Sequence, residues 1–402
     1  MTESTLPVGL VPGAPASEAA DLAALQAWSR QRFASMTDDL QTFVETETPS
    51  TDKVLLDRGL AWIERYLAFS LGAPDQRVIA DGGGRGDTLQ VEYAGGARTV
   101  LVLCHYDTVW DAGTLAQWPC TIEAGVMRGP GVFDMKSGLI QFVWALRALA
   151  AVGLPAPTVR LLCTGDEELG SGASRATIEA AAEGVDAVLV MEPGVDGALK
   201  TSRKGVGLFT FELTGVEAHT GLDPAKGASA VHELAHLILE LRALHDLSVG
   251  TSVNFGVVSG GHRANVTAGR ARATMDVRVD NPAEARRVEA AVAGVMPVDE
   301  RVRIDVTGGW NRPVMDRTPQ IGALYDVACE IAGHLGITLK EQQAGGGSDG
   351  NFLAGRGLPL LDGLGAVGAG AHSRDEHVRL AETWERVALV AGLLARYGKD
   401  DA

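Results

Sequence analysis

The stretch VLVLCHYD, residues 100–107, decides the fold class of this chain. Its apolar residues run directly into His105 and Asp107. VRLLCTGDEE (159–168) and AVLVMEP (187–193) have the same form, because each apolar run ends at carboxylates. Uninterrupted apolar runs of this length, separated by helical stretches, predict buried strands of a mostly parallel sheet that is covered by helices on both faces.

The polar residues that follow these strands predict a metal site. In such sheets the ligand crevice lies beyond the carboxyl ends of the strands. We therefore expect five side chains to converge on one rim: His105, Asp107, Glu167, Glu168 and Glu192. Carboxylates that lie so close repel one another unless protons or cations intervene, and imidazole with carboxylate oxygen is a ligand set suited to zinc.

Two further segments favour a second metal. GPGVFDMKSG (129–138) places Asp134 in a glycine-flanked turn ahead of an amphipathic helix. A glycine-rich loop after the apolar run LPLL (358–361) carries His372, so this distant segment can fold back to the same rim. Two histidines and several carboxylates exceed the needs of one tetrahedral zinc, whereas two metals about 3.5–4 Å apart would use them.

The motifs, taken in order, resemble a known family. They are HYDTV (105–109), GPGVFDMKSG (129–138), GDEELGS (165–171), MEPG (191–194), VEAHTG (216–221) and GAHSRDEHV (370–378). Their order and spacing are similar to those of the zinc-dependent exopeptidases and deacylases, which include glutamate carboxypeptidase, aminoacylase, acetylornithine deacetylase and succinyl-diaminopimelate desuccinylase. The resemblance covers roughly residues 60–395 and is closest to the glutamate carboxypeptidase branch.

The resemblance implies a site for two zinc ions. His105, Asp134 and Glu192 would hold one ion, and Asp134, Glu168 and His372 would hold the other, so that Asp134 bridges the pair. Cobalt or manganese could use the same ligands.

The resemblance also implies catalytic roles. Glu167 would be the general base, and Asp107 would hydrogen-bond the imidazole of His105 and thereby fix its tautomer. His219 would reach over the site from a smaller domain, commonly that of the partner subunit, and stabilise the oxyanion. Asn265, in GHRANVTAG (261–269), would support His219.

A further group of residues aligns with polar positions of the glutamate-releasing branch: Lys200, Ser202, Arg278 and Arg312. The planar fork of arginine binds a carboxylate through two hydrogen bonds, and Arg312 is the residue we expect to hold the α-carboxylate of the substrate. For Arg203 and Lys204 a solvated surface charge is an equally good interpretation. The glycine loop around Gly347 and Ser348 would let backbone approach the substrate closely.

Two other patterns imitate functional motifs. HELAH (232–236) has the H-E-x-x-H spacing of single-zinc proteases, but its helix buries Leu234 and Ile238 and leaves the histidines toward the flank, with no third ligand nearby in sequence. We interpret it as a solvated or interface helix face. The glycine clusters DGGGRG (81–86) and AGGGSD (344–349) lack the spacing of phosphate-binding loops.

Composition excludes several classes of protein. A net charge of −16 argues against nucleic acid and anionic membranes as partners. No apolar run in the sequence is expected to span a membrane, and the amino terminus does not resemble a secretory signal. Four scattered cysteines do not indicate a disulfide framework, so the sequence predicts a cytoplasmic protein.

The pattern of strands divides the 402 residues into domains. Residues 1–20 are expected to form a flexible leader, and residues 21–204 with 314–402 a catalytic zinc-binding domain of α/β class. Residues 205–313 follow a β-α-β-β-α-β order with half-buried strands, which predicts an inserted smaller α/β sandwich. By resemblance this domain dimerises, which implies a homodimer and would also cover a free sheet edge.

The sequence therefore predicts a dizinc hydrolase acting on a small peptide or N-acyl amino acid. Cleavage of the amide bond before a carboxy-terminal glutamate or other acidic residue is favoured. The alternative is an N-acyl-amino-acid amidohydrolase with a non-acidic preference. A catalytically silent binding relative would lack a ligand or the base, and none is missing here.

Overall fold

The computed structural model describes residues 18–399. The α-helices of this part are α1 (Glu18–Arg30), α2 (Phe33–Val44), α3 (Lys53–Leu71), α4 (Thr114–Gln117), α5 (Ser137–Val152), α6 (Arg175–Ala181), α7 (Ala230–Arg242), α8 (Pro282–Ala293), α9 (Pro319–His334) and α10 (Leu380–Gly398). Shorter helical turns cover Val132–Lys136, Glu167–Leu169, Pro224–Lys226, Leu247–Val249 and Asp349–Arg356.

The strands of the same part are β1 (Gln76–Ala80), β2 (Gly86–Tyr93), β3 (Gly96–His105), β4 (Thr121–Glu123), β5 (Val126–Arg128), β6 (Pro157–Gly165), β7 (Ala187–Val190), β8 (Leu199–Arg203), β9 (Gly205–Thr214), β10 (Ser252–Gly260), β11 (Arg270–Val279), β12 (Arg303–Arg312), β13 (Glu341–Ala344), β14 (Leu360–Leu361), β15 (Gly368–Ala369) and β16 (His377–Arg379).

The central sheet has the strand order β1-β2-β6-β3-β7-β14. Strands β6, β3, β7 and β14 are parallel neighbours, whereas β1 and β2 join antiparallel at one edge. Side chains alternate along β3: Val100 and Val102 pack into one hydrophobic cluster, while Leu101 and Leu103 pack into another on the opposite face. The predicted α/β class with a largely parallel, two-sided sheet is confirmed.

Helix α5 lies at the centre of the larger cluster. The spacing of its apolar residues predicts one buried stripe, yet almost the whole helix is buried because α1, α2, α3 and α10 all pack against it. The segment Val132–Val152 is long and apolar enough to cross a membrane, which corrects the expectation that no run reaches that length. With 72% of its apolar window buried inside the protein, it has the character of a core helix.

The second sheet is antiparallel, in the order β10-β11-β9-β12. It is built from a continuous part of the chain in the order β9-α7-β10-β11-α8-β12, as the alternating pattern predicts. Strand β9 alternates between buried and more exposed positions, and Phe209 and Phe211 pack with Leu234 and Val288 of the two helices in a separate core. This sheet begins at Gly205, directly after β8, and its last strand ends at Arg312.

Residues 1–17 of the predicted leader lie outside the described residues. The remaining three, 18–20, form the first turn of α1. Helix α1 packs against α5 and α10, so it belongs to the catalytic core.

Close contact between α5 and the end of β7 makes Gly138 a sensitive position. A Cβ atom at Gly138 would lie 2.0 Å from the carbonyl oxygen of Met191. We expect Gly138→Ala to lower the free energy of unfolding by about 1–3 kcal/mol or more, since backbone must shift to admit the methyl group. Denaturant unfolding followed by circular dichroism measures this.

Gly333→Ala is the matched control, because Gly333 is also helical and a Cβ there meets nothing within 4 Å. That variant is expected to be neutral or more stable by about 0.5–1 kcal/mol. Equal stability of the two variants would contradict the packing argument.

Candidate metal centre and active site

Strand ends place the first group of predicted residues. His105 is the last residue of β3, the turn Glu167–Leu169 follows β6, and Glu192 lies two residues beyond β7. Because these three strands are parallel neighbours, their carboxyl ends meet at one rim of the sheet.

Two loops bring the remaining predicted ligands to this rim. Asp134 lies in the turn Val132–Lys136 before α5, and His372 lies between β15 and β16 with φ of +60°. The two carboxylate oxygens of Asp134 face different histidines. Oδ1 is 3.2 Å from Nε2 of His105, and Oδ2 is 3.6 Å from Nε2 of His372.

The other carboxylates each approach one histidine. Glu192 Oε1 is 3.4 Å from His105 Nε2, and Glu168 Oε2 is 3.0 Å from His372 Nε2. These contacts divide the five side chains into two overlapping sets that share Asp134.

Mutual distance alone groups the ligand atoms differently. Within the described residues, the sets whose atoms all lie within 4.8 Å of one another are His105, Glu167 and Glu192, and His105, Asp134 and Glu168. All these side chains share one small volume, so such sets overlap. The pairwise contacts of each histidine are more informative, because they show which carboxylate each imidazole faces.

Burial of so many carboxylates changes their protonation. Burial raises the pKa of Glu167 to about 8 and that of Glu168 to about 7. For Glu192 burial alone would raise the pKa, but the hydrogen bond from His105 and the charges of Lys200 and Arg203 hold it below its usual range. The hydrogen bond with Glu168 raises the pKa of His372 to about 9.

These observations fit a cation at the rim. Glu168 Oε1 is buried and has no hydrogen-bond partner, although a buried carboxylate oxygen normally has one. The imidazole and carboxylate set around it is one that divalent transition metals prefer. A metal ion would satisfy Glu168 and relieve the mutual repulsion.

Asp107 is buried and hydrogen-bonds the backbone of the turn that carries Glu167 and Glu168. Its carboxylate accepts hydrogen bonds from the backbone N–H groups of Glu167 and Glu168, both at 3.2 Å, and from Ser50 Oγ at 2.8 Å. The backbone carbonyl of Asp107 lies 3.1 Å from His105 Nδ1, closer than its carboxylate at 3.5 Å. Since a carbonyl can only accept, Nδ1 donates this bond, and Nε2, which faces Asp134 and Glu192, is the nitrogen that can bind a metal once it has no proton of its own.

The model of the family described as Peptidase family M20/M25/M40 matches residues 101–396 of this chain. The chain belongs to this family. Carboxypeptidase G2 of Pseudomonas sp. (strain RS-16) is 29% identical over 372 residues, which cover 89% of this chain and 88% of that protein. Succinyl-diaminopimelate desuccinylase of Rhodospirillum centenum is 30% identical and covers 73% of this chain and 80% of its own length.

Among solved structures, aminopeptidase PepT from Bacillus cereus ATCC 10987 has the same fold, with a TM-score of 0.74 at 21% identity. The match covers 91% of this chain and 99% of that chain. The M20 assignment agrees with the resemblance that the ordered motifs indicated, and it makes the protein a metal-dependent hydrolase.

Glu376 is a residue of this M20 site that the sequence interpretation missed. Its Oε1 accepts from the backbone N–H groups of Phe133 at 2.9 Å and Asp134 at 3.1 Å, and its Oε2 accepts from Gly131 N at 3.0 Å and Trp110 Nε1 at 2.8 Å. The carboxylate therefore clamps the turn that carries Asp134. Its position four residues after His372, within an acidic run, was the available signal.

A cavity of about 470 Å³ opens beside the predicted metal ligands. Lys200 lines it, is 6% exposed, and has its Nζ 3.7 Å from Glu192 Oε2. Gly347 also lines the cavity. Ser202, on β8 between Lys200 and Arg203 in sequence, is half-buried.

Arg203 is buried rather than solvated, which corrects the surface interpretation. Its guanidinium forms a bidentate pair with Asp362, with Nε to Oδ2 at 2.7 Å and Nη2 to Oδ1 at 2.8 Å. It also donates to the carbonyl oxygens of Gly346 and Gly347, and so holds the glycine loop at the cavity.

Three predicted residues lie in the inserted sheet and its loops, outside the cluster of ligands. His219 and Asn265 are exposed and adjacent, because Thr220 N donates to the carbonyl of Asn265 at 3.2 Å. His219 Nδ1 accepts from the N–H of Gly221 at 3.1 Å, so a neutral ring carries its proton on Nε2. Arg278 pairs with Asp276, with both hydrogen bonds at 2.8 Å.

Arg312 is 3% exposed and its guanidinium contacts Glu167 Oε1 at 3.0 Å. Its predicted contact with a substrate carboxylate stays a prediction.

The H-E-x-x-H pattern has a structural explanation in α7. Glu233 is buried and its carboxylate accepts from the backbone N–H groups of Val298 at 2.7 Å and Asp299 at 3.1 Å. His232 and His236 are exposed, and neither belongs to a candidate metal group of the described residues. The interpretation of a solvated helix face agrees with these positions.

The clamp on the Asp134 turn yields a metal-binding prediction. In Glu376→Gln the amide nitrogen replaces one acceptor oxygen, so two of the N–H groups lose their partner. We expect metal affinity, measured by competition with a chelator, to fall about 10–100-fold, as for other groups that orient metal ligands.

His236→Ala provides the control, and its affinity is expected to equal that of the unmodified protein. Unchanged affinity in Glu376→Gln, or a loss in His236→Ala, would contradict this description of the site.

Proposed function

We propose that this M20 hydrolase binds two zinc ions and cleaves the amide bond that precedes a carboxy-terminal acidic amino acid, glutamate above all, in a peptidyl or N-acyl compound. The observation that carries the proposal is the position of Glu167. It lines the same cavity as Asp134, Glu168 and Glu192, so a base lies next to the predicted metal ligands. Metals bound by the five ligands would supply Lewis acidity there.

Glu167 acts as the general base in this proposal. Two contacts orient it, since its backbone N–H donates to Asp107 and its side chain accepts from Arg312. It removes a proton from the attacking water molecule and later delivers one to the leaving amine.

His219 donates to the oxyanion. The Nε2 proton that its hydrogen-bond geometry assigns is suited to this task, and Asn265 lies beside it in the adjacent loop. Both residues are exposed and lie outside the cluster of predicted metal ligands. In this proposal they therefore act on a substrate that extends from that cluster to the inserted sheet, either in their own subunit or in a partner.

Cationic residues near the cavity support the acidic preference. Lys200 and Arg203 both line it, and the chain is 29% identical to a carboxypeptidase G2. The alternative, an N-acyl-amino-acid amidohydrolase with a non-acidic preference, has one specific observation in its favour. Lys200 and Arg203 already face Glu192 and Asp362, which reduces the positive charge offered to a substrate.

A matched substrate panel tests these two candidates. One acyl group is attached to Glu, Asp, Leu, Ala or Lys and incubated with the zinc-loaded protein. We expect kcat/KM for the Glu or Asp compound to exceed that for Leu or Ala by about 10-fold or more, since a missing charge partner is worth more than 1.4 kcal/mol.

Glu167→Ala is the control for the base and is expected to lose about 10²–10⁴ in kcat. Preference for Leu or Ala would support the aminoacylase-like alternative, and full activity in Glu167→Ala would refute the assignment of the base.

We also propose that the protein is a cytoplasmic homodimer. The four cysteines are free, which suits a reducing compartment. Strand β10 is an edge of the inserted sheet, and it exposes Val257 and Val258, which are 64% and 55% exposed. Helix α7 packs beside it and exposes Leu239 at 67%. A second copy paired along this edge would cover these side chains and the unpaired backbone groups.

Light scattering tests the oligomeric state. The unmodified protein is expected to have the mass of a dimer, whereas Val258→Lys should give monomers because a charge would be buried at the pairing edge. A monomer in the unmodified protein would contradict the proposal, as would an unchanged dimer in the variant.

A further inference from the structure

Arg312 connects the inserted sheet to the turn that carries the base. It is the last residue of β12, and the hydrogen bonds of its guanidinium within the described residues all go to groups of the catalytic core. Nη1 donates to the carbonyl of Gly170 at 2.8 Å. Nη2 faces Glu167 Oε1 at 3.0 Å, Ser171 Oγ at 2.7 Å and Asp349 Oδ1 at 3.2 Å.

The side chain is confined on several sides. Its guanidinium carbon lies 4.4 Å from the centre of the Phe352 ring. A Cβ atom added to Gly347 would lie 2.7 Å from Arg312 Cγ, so the glycine loop packs directly on the arginine. Asn311, the preceding residue, donates to the same Gly170 carbonyl at 2.8 Å. The end of β12 is thus hydrogen-bonded to the turn that carries the base through two neighbouring side chains, those of Asn311 and Arg312.

The guanidinium already has carboxylate partners. Two carboxylates, Glu167 and Asp349, share its one positive charge. Asp349 is itself held by hydrogen bonds from Ser171 and from Thr164, the latter at 2.9 Å. A substrate carboxylate could reach Nη2 only by displacing one of these anions, which would leave a buried charge without its partner.

We propose that Arg312 is a positioning residue that orients Glu167, and that it does not anchor the α-carboxylate of the substrate. This inference rests on the proposed role of Glu167 as general base. Arginine suits the task because its planar fork contacts the carbonyl of Gly170 and the carboxylate of Glu167 at once, which the single ammonium group of lysine cannot reproduce. Through Arg312 the inserted sheet thereby determines the orientation of the Glu167 carboxylate.

The test compares two substrates that differ only in the α-carboxylate: the N-acyl amino acid and its α-carboxamide. For Arg312→Lys we expect kcat to fall about 10–100-fold on both substrates, because a shift of about 1 Å in a catalytic group has that effect. KM is expected to stay within about twofold. A rise in KM together with a loss confined to the free acid would overturn the proposal in favour of an anchor.

The inhibition constant of the product amino acid gives the same comparison where the unmodified protein does not turn over the carboxamide. It is expected to be unchanged in Arg312→Lys, whereas a rise of about 10-fold or more would indicate an anchor and overturn the proposal. Arg301→Lys controls for the substitution itself, since Arg301 is an exposed residue paired with Asp299, and its kcat should equal that of the unmodified protein.

Gly347→Ala is the second variant, because it presses on Arg312 without removing any hydrogen-bond donor. It is expected to lower kcat, and it keeps the proposal testable where Arg312→Lys does not fold. A crystal structure of either variant is expected to show the Glu167 carboxylate displaced, and an unmoved carboxylate would overturn the proposal. This readout needs no turnover, whereas absence of amide hydrolysis by the unmodified protein would refute the proposed function separately.

Discussion

Mutual repulsion among buried carboxylates is the constraint on which the rest of this structure depends. Asp134, Glu167, Glu168 and Glu192 meet at one rim of the central sheet. Two like charges 4 Å apart repel by about 4 kcal/mol at an effective dielectric constant of 20. Only protons or cations can offset several such pairs, so the rim is stable as a binding site for divalent metal and costly without one. Burial raises the pKa values of Glu167 and Glu168, so loss of water from around these carboxylates adds to the cost of keeping them charged.

Residues behind the rim hold its acidic groups in place, and the same arrangement of hydrogen bonds occurs twice. Asp107 accepts backbone N–H groups from the turn of Glu167 and Glu168, and Glu376 accepts them from the turn of Asp134. In each case a buried carboxylate is satisfied by donors of the loop it orients. Arginines add to this support, because Arg203 joins the glycine loop to Asp362 and Arg312 joins the inserted sheet to Glu167.

The elements with strong periodicity were the ones that could be predicted. The runs at β3, β6 and β7 predicted a two-sided sheet, and the family motifs singled out the five side chains that meet at the rim. Prediction was weaker for charged residues whose partners are far away in sequence. Arg203 could not be told from a surface arginine, because Asp362 lies 159 positions later. Glu376 was missed since three of the four N–H groups that it accepts from belong to the backbone, which no pattern of side chains reveals.

The sequence by itself determined the fold class, the family and the set of candidate metal ligands, because hydrophobic periodicity and motif spacing are local properties of the chain. Only the tertiary structure decided which charges are paired. It places Arg312 against Glu167 and Asp349, Lys200 beside Glu192, and the histidines of H-E-x-x-H on the outside of α7. The physical reason is that an ion pair depends on distance in space and on exclusion of water, and both are set only when strands and loops from distant parts of the chain have packed together.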